Sequence, residues 1–219
     1  MSPGDAIPKR AGVGHGKRVL MSIPIVHSQA DMGKLAHSVK RVTIQQLGRR
    51  AWEHNVEVIA GMWGDLRRTV EQWDLPWKKV RLYQDGLPRC AREVDIVTTL
   101  AGAGSPNHQL LLSLMSRGAT LVGTESPDLL VKEYRLVQEQ LAATDSRGAA
   151  TNAEHQARSR ALLARRDRYI AQRINESLLP GEIGLLFLGM LHAVEPYLAK
   201  DIEVRHPIRW LSRPRRHAT

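Results

Sequence analysis

Two histidines in this chain stand where an apolar run ends. Leu185 to Leu188 is an unbroken apolar stretch between Gly184 and Gly189, and Gly189-Met190-Leu191-His192 delivers an imidazole just after it. Val19 to Val26 is a second run, ending in His27 with Asp31 four residues on. Carboxylates recur in the same relation: Asp85 follows Lys79 to Gln84, and Glu125 follows Ala119 to Val122. Neutral imidazoles and carboxylates brought together can ligate a divalent metal or divide acid and base in a proton transfer. His27, Asp31 and His192 are the expected metal ligands, and Asp85 and Glu125 the expected catalytic carboxylates. Arg166 and Arg173 flank Ile170 and Ile174 on a helical stripe and are expected to stabilise developing negative charge. Each residue also has an ordinary structural role open to it. Asp31 suits a helix start, Asp85-Gly86 a plain turn, and Glu125 the first turn of a helix.

The elements that must position these groups follow from periodicity. Leu185 to Leu188 lacks polar alternation and reads as a strand buried on both faces, hence mid-sheet. Strands are expected at Val19–Val26, Lys79–Gln84, Ala119–Val122 and Ile202–Val204. Lys34 to about Trp73 carries apolar residues at three- and four-residue steps, from Leu35 to Val70, and Gly48, Gly61 and Gly64 predict two helices or a bent one. Further helices are expected at Ala91–Leu100, Asn107–Arg117, Asp128–Leu141 and Ala153–Leu178, with a short one over Ala193–Leu198 and a loop over Thr144–Asn152. Strands alternating with helices predict an α/β fold, a mostly parallel sheet of about five strands with helices on both faces. In such sheets ligands bind at the carboxyl ends of the strands, where all these histidines and carboxylates fall.

The totals bound the rest. The chain has 219 residues and a net charge of +10. Most of that charge comes from Lys9, Arg10, Lys17 and Arg18 at one end and Arg205, Arg209, Arg213, Arg215 and Arg216 at the other. The body between is nearly neutral, so weak non-specific nucleic-acid binding is expected only through the termini. Residues 1–17 are expected to be a disordered basic lead-in, 18–205 a single α/β domain, and 206–219 a basic tail. Cys90 is the only cysteine, which excludes an intramolecular disulfide and points to a reducing, cytoplasmic compartment. No stretch reads as a membrane span. Gly12 to Arg18 is no phosphate loop, since Ala11 and Arg18 replace required residues and the stretch precedes the first strand.

The ordered set of His27 with Asp31, Asp85, the helix Leu162 to Asn175 containing Arg166, and Gly189-Met190-Leu191-His192 resembles the TraB/Tiki-type GxxH proteins. It is similar, too, to their wider erythromycin-esterase-like and ChaN-like relatives. In that group a strand-end histidine, an acidic residue, an arginine-bearing helix and a late GxxH converge on one site. Pro24-Ile25-Val26-His27 lacks the group's usual glycine, and Asp85 stands where glutamate is more typical. Carried over by position, His27, Asp85, Arg166 and His192 match the motifs; Glu125, Glu195 and Asp31 are added from their placement after strands. The resemblance implies a metal-dependent hydrolase of a peptide, ester or amide bond, with a small-molecule or peptide substrate. The same group implies as alternative a non-enzymatic haem or small-ligand binding protein.

Overall fold

The computed structural model describes residues 17–142 and 149–208. One five-stranded, wholly parallel sheet organises them: β1 Arg18–Ile25, β2 Val80–Gln84, β3 Thr120–Val122, β4 Ile183–Gly189 and β5 Ile202–Arg205, in the order β3-β2-β4-β1-β5. β4 is the central strand, as its unbroken apolar run demands, and Gly184 is required there. A Cβ on Gly184 would lie 2.6 Å from Leu20 Cδ1 and 3.2 Å from Tyr83 Cε2. Pro24 is tolerated in β1 because β5 pairs only with Arg18–Met21, leaving one flank of the strand open beyond that point.

Helices cover both faces. On one, α2 (Arg49–Glu71), α3 (Glu93–Gly102) and α4 (Pro106–Ser116) bury Trp63, Leu66, Val70, Val97 and Leu110 against Ile23, Leu82, Leu185 and Phe187. On the other, α6 (Ala149–Ser177) packs Ile170, Ala171 and Ile174 on Leu20, Tyr83 and Leu186. Two helices complete the set, α1 (Ala36–Leu47) and α5 (Pro127–Ala142). The long apolar segment is indeed two helices, broken at Gly48, whose φ of +86° is open to glycine and costly for other residues.

Two local expectations need correction. The expected loop over Thr144–Asn152 is helical from Ala149, because α6 starts earlier than its first apolar residues; residues 143–148 lie outside the described part. The expected helix over Ala193–Leu198 contracts to one 3-10 turn, Glu195–Tyr197, since Pro196 admits only the first turn of a helix. A 3-10 turn at Gln29–Leu35 precedes α1, with Ser28 and Asp31 forming its capping box. The expected lead-in and most of the basic tail, with Arg209, Arg213, Arg215 and Arg216, lie outside the described residues.

Candidate active site

Because every strand is parallel, all carboxyl ends share one edge of the sheet. Glu125, Asp85, His192 and His27 follow β3, β2, β4 and β1, four neighbouring strands in that spatial order. The loops after β2 and β3 are zipped together: Thr124 and Glu125 donate their amides to the Leu87 carbonyl at 3.0 and 2.9 Å, and Arg89 N–H donates to the Glu125 carbonyl at 2.8 Å. That zipper fixes Asp85 beside Glu125.

Asp85 is the centre of the cluster. Its Oδ2 accepts the Gly189 amide at 2.9 Å and lies 3.3 Å from His27 Nε2; its Oδ1 accepts Arg166 Nη2 at 2.8 Å and lies 3.5 Å from His192 Nε2. Burial opposes ionisation, yet the hydrogen bonds and charges of His192 and His27 hold its carboxyl well below the usual carboxylate range. Asp85 is therefore an anion fixed from four directions.

Arg166 reaches this point from α6. It stands one helical turn before Ile170 on the buried stripe, so it faces the sheet, and α6 runs back along the strands so that this turn lies near their carboxyl ends. Its guanidinium forks onto Glu125 through Nε at 2.7 Å and Nη2 at 2.6 Å, and pairs with Glu133 as well as Asp85. Burial and the negative charge of Asp85 push the Glu125 carboxyl upward, against the pull of Arg166.

His192 is held on both sides. Nδ1 lies 2.5 Å from Asp167 Oδ1, and the other Asp167 oxygen accepts the Ala193 amide at 3.1 Å. Burial disfavours the imidazolium, but the Asp167 and Asp85 contacts outweigh it and raise the pKa to about 9. His27 differs, since its side chain is 42 % exposed and it lines a cavity of about 500 Å³. Burial lowers its pKa, and Asp85 more than compensates, leaving it above the ordinary value.

Five of the residues expected from sequence thus meet: His27, Asp85, Glu125, Arg166 and His192. Asp31 and Arg173 are committed elsewhere. The Asp31 carboxylate accepts the Ser28 amide and hydroxyl at 2.7 and 2.8 Å and the Ser105 hydroxyl, with His108 Nδ1 3.4 Å away. These bonds engage the carboxylate with Ser28, Ser105 and His108, so Asp31 is turned to α4 and pairs with neither His27 nor His192. Arg173 donates to the Gly123 carbonyl at 3.2 Å and pairs with Glu176. Glu195 pairs with His206 at the surface.

The Asp31, Ser105 and His108 trio is not a second catalytic triad. In a triad the imidazole bridges hydroxyl and carboxylate through its two nitrogens. Here the hydroxyl is the bridge: Ser105 Oγ donates to Asp31 and lies 2.7 Å from His108 Nδ1, fully buried.

Asp167 and Glu133 are site residues that pattern reading misses. Asp167 lies in the run Arg165-Arg166-Asp167-Arg168, which has the composition of a solvated face, although Arg166 and Asp167 are both buried. The available signal was their position one turn before Ile170 and Ala171.

Ligand atoms of Asp85, Glu125 and His192 all lie within 4.8 Å of one another, a group that could hold a metal ion. Two carboxylates and an imidazole suit a divalent cation chemically. Arg166 Nη2 already bridges two of these carboxylates, through Asp85 Oδ1 and Glu125 Oε1. No protein-family model matches this chain, and neither a curated protein nor a solved structure is significantly similar to it.

Proposed function

We propose that this chain is a hydrolase of ester or amide bonds in a small substrate, with His27 as general base and Asp85 as the carboxylate that orients it. The observation that carries the reading is the double placement of one ring: His27 Nε2 meets the buried Asp85 carboxylate while the imidazole lines the cavity. An ionised Asp85 favours the tautomer protonated at Nε2, which leaves Nδ1 basic. Nδ1 has no hydrogen-bond partner among the described residues. A water on the cavity side gives its proton to Nδ1 as its oxygen adds to the substrate carbonyl. Asp85 stabilises the resulting imidazolium, and the proton passes to the leaving oxygen or nitrogen as the tetrahedral species collapses. Such proton transfer contributes about 10²–10⁴-fold in rate. Arg166 holds the carboxylates in place rather than touching substrate.

The test is turnover of 4-nitrophenyl esters by the parent and by His27→Ala and Asp85→Asn. The expected result is a fall in kcat of about 10²–10⁴-fold in His27→Ala with the fold intact and KM little changed. No turnover of esters or of the matching anilides by the parent sinks the reading.

A second reading is favoured by the clustering of Asp85, Glu125 and His192. These residues would hold a divalent cation, which supplies Lewis acidity and a bound water of lowered pKa. Arg166 would have to withdraw and His192 lose its proton. Metal retained after dialysis against zinc or manganese, and lost in Glu125→Gln, supports it. Haem is less well supported, since both ring nitrogens of His192 face carboxylates. Nucleic-acid binding through the basic ends is tested by the salt dependence of affinity before and after deletion of 209–219.

A further inference from the structure

The cavity beside His27 has a chemistry of its own. Its walls come mainly from α2, with Trp52, Val56, Ile59 and Trp63, and are completed by Met32 and Pro106. Among the described residues, the one ionisable side chain along it besides His27 is Arg67, and Arg67 Nε is engaged by Glu71 at 3.0 Å. An apolar ligand would cover Val56, which is 41 % exposed. A volume of about 500 Å³ suits a small molecule.

The walls are also fixed in advance. Trp63 is 4 % exposed and donates Nε1 to the Val26 carbonyl at 3.0 Å, on the residue before His27. Ser28, on the other side of His27, is held by Asp31. Wall and base therefore share one anchored loop, and a group seated against Trp63 keeps a set distance to the imidazole. Preformed walls spare the ordering cost of binding.

We propose that this cavity is an acyl-binding site, taking a medium-chain, uncharged aliphatic acyl group whose carbonyl carbon is presented to His27. Its catalytic consequence rests on the hydrolase reading above; its binding consequence does not. The occupant follows from the continuity of the apolar wall, Trp52, Val56, Ile59, Trp63, Met32 and Pro106, with the His27 imidazole.

Gly64 lines the cavity inside α2, and a Cβ there would meet only Arg68 Nη1, at 3.5 Å. Gly64→Leu should therefore narrow the cavity without loss of fold, since leucine is the better helix former. Trp52→Ala should enlarge it, because Trp52 lies outside both core clusters. The experiment has two arms. In the first, methyl octyl ketone, which cannot be hydrolysed, is titrated against the parent and Gly64→Leu by tryptophan fluorescence. Saturable quenching in the parent, weakened at least about tenfold in Gly64→Leu, is expected, about 1.4 kcal/mol of affinity. No saturable binding, or equal binding by both, overturns the proposal whether or not the protein is a hydrolase. In the second arm, kcat/KM is measured on 4-nitrophenyl esters from acetate to decanoate. The parent should prefer the longer chains, Gly64→Leu should shift the optimum shorter, and Trp52→Ala longer. A length profile that is flat in the parent, or that neither variant moves, overturns the proposal. Binding without turnover of any ester supports the acyl site and sinks the hydrolase reading instead.

Discussion

Gly189 and Asp85 approach so closely that only glycine fits: the Gly189 amide donates to Asp85 Oδ2 at 2.9 Å, and a Cβ on Gly189 would lie 2.7 Å from that same oxygen. The glycine of the Gly189-to-His192 motif thus serves Asp85, while the histidine three residues later is turned toward Asp85 Oδ1. Motif spacing and the carboxylate form one unit.

Gly189→Ala is accordingly expected to push Asp85 away from His27. Overpacking of this kind costs about 1–3 kcal/mol of stability, and misplacement of a catalytic group lowers kcat/KM by at least about tenfold. Urea unfolding and ester kinetics check both. An alanine variant with parental kinetics would show that the amide contact does not position Asp85.

Among the described residues, Arg166 is the only cation placed against Asp85, Glu125 and Glu133 together. Arg166→Met should leave buried carboxylates uncompensated and cost about 3–5 kcal/mol. The deficit has a pH signature. Without the guanidinium the buried Asp85 and Glu125 carboxyls are harder to ionise, so protonation relieves the strain and the gap between variant and parent should narrow as the pH is lowered. A gap that does not change with pH would mean that Arg166 acts by packing.

Much of this arrangement is legible in the residues. The run Leu185–Leu188 marks the central strand because a strand buried on both faces has no polar alternation, and in a parallel sheet that places His27, Asp85, Glu125 and His192 at one edge. Asp31 and Arg173 could not be resolved in the same way. A carboxylate four residues past a strand serves a cap or a site equally well, and Ser105, which settles the matter, is 74 positions away in sequence. Asp167 and Glu133 were hidden because a charged helical run has the same composition whether it meets water or a buried partner. The resemblance to GxxH proteins stays a proposal resting on the same residues.

His192 links the site to stability. Its pKa is raised to about 9 from an ordinary 6.5 by Asp167 and Asp85, against burial. A raised folded-state pKa means that this contribution is complete below about pH 6.5 and is lost as pH climbs through 9. Because a tenfold change in proton affinity is worth about 1.4 kcal/mol, the loss amounts to at most about 3 kcal/mol. Unfolding measured from pH 6 to 9.5 should show this decline in the parent, and a much flatter profile in His192→Gln. Parallel profiles would place the titration in another group.

The Asp31 network makes the opposite prediction in pH. Its carboxyl is held below the ordinary value of 3.8, because the bonds from His108, Ser105 and Ser28 overcome burial. A depressed pKa contributes fully above the unfolded value and is lost as pH falls through the folded one. Asp31→Asn should therefore cost about 1–3 kcal/mol at neutral pH, the penalty of mismatched buried donors, and that cost should shrink below about pH 4. Because Asp31 anchors Ser28 beside the general base, kcat should fall too, while any zinc or manganese bound by the parent is retained. Loss of that metal in Asp31→Asn, with stability unchanged, would instead make Asp31 a ligand and the buried network incidental.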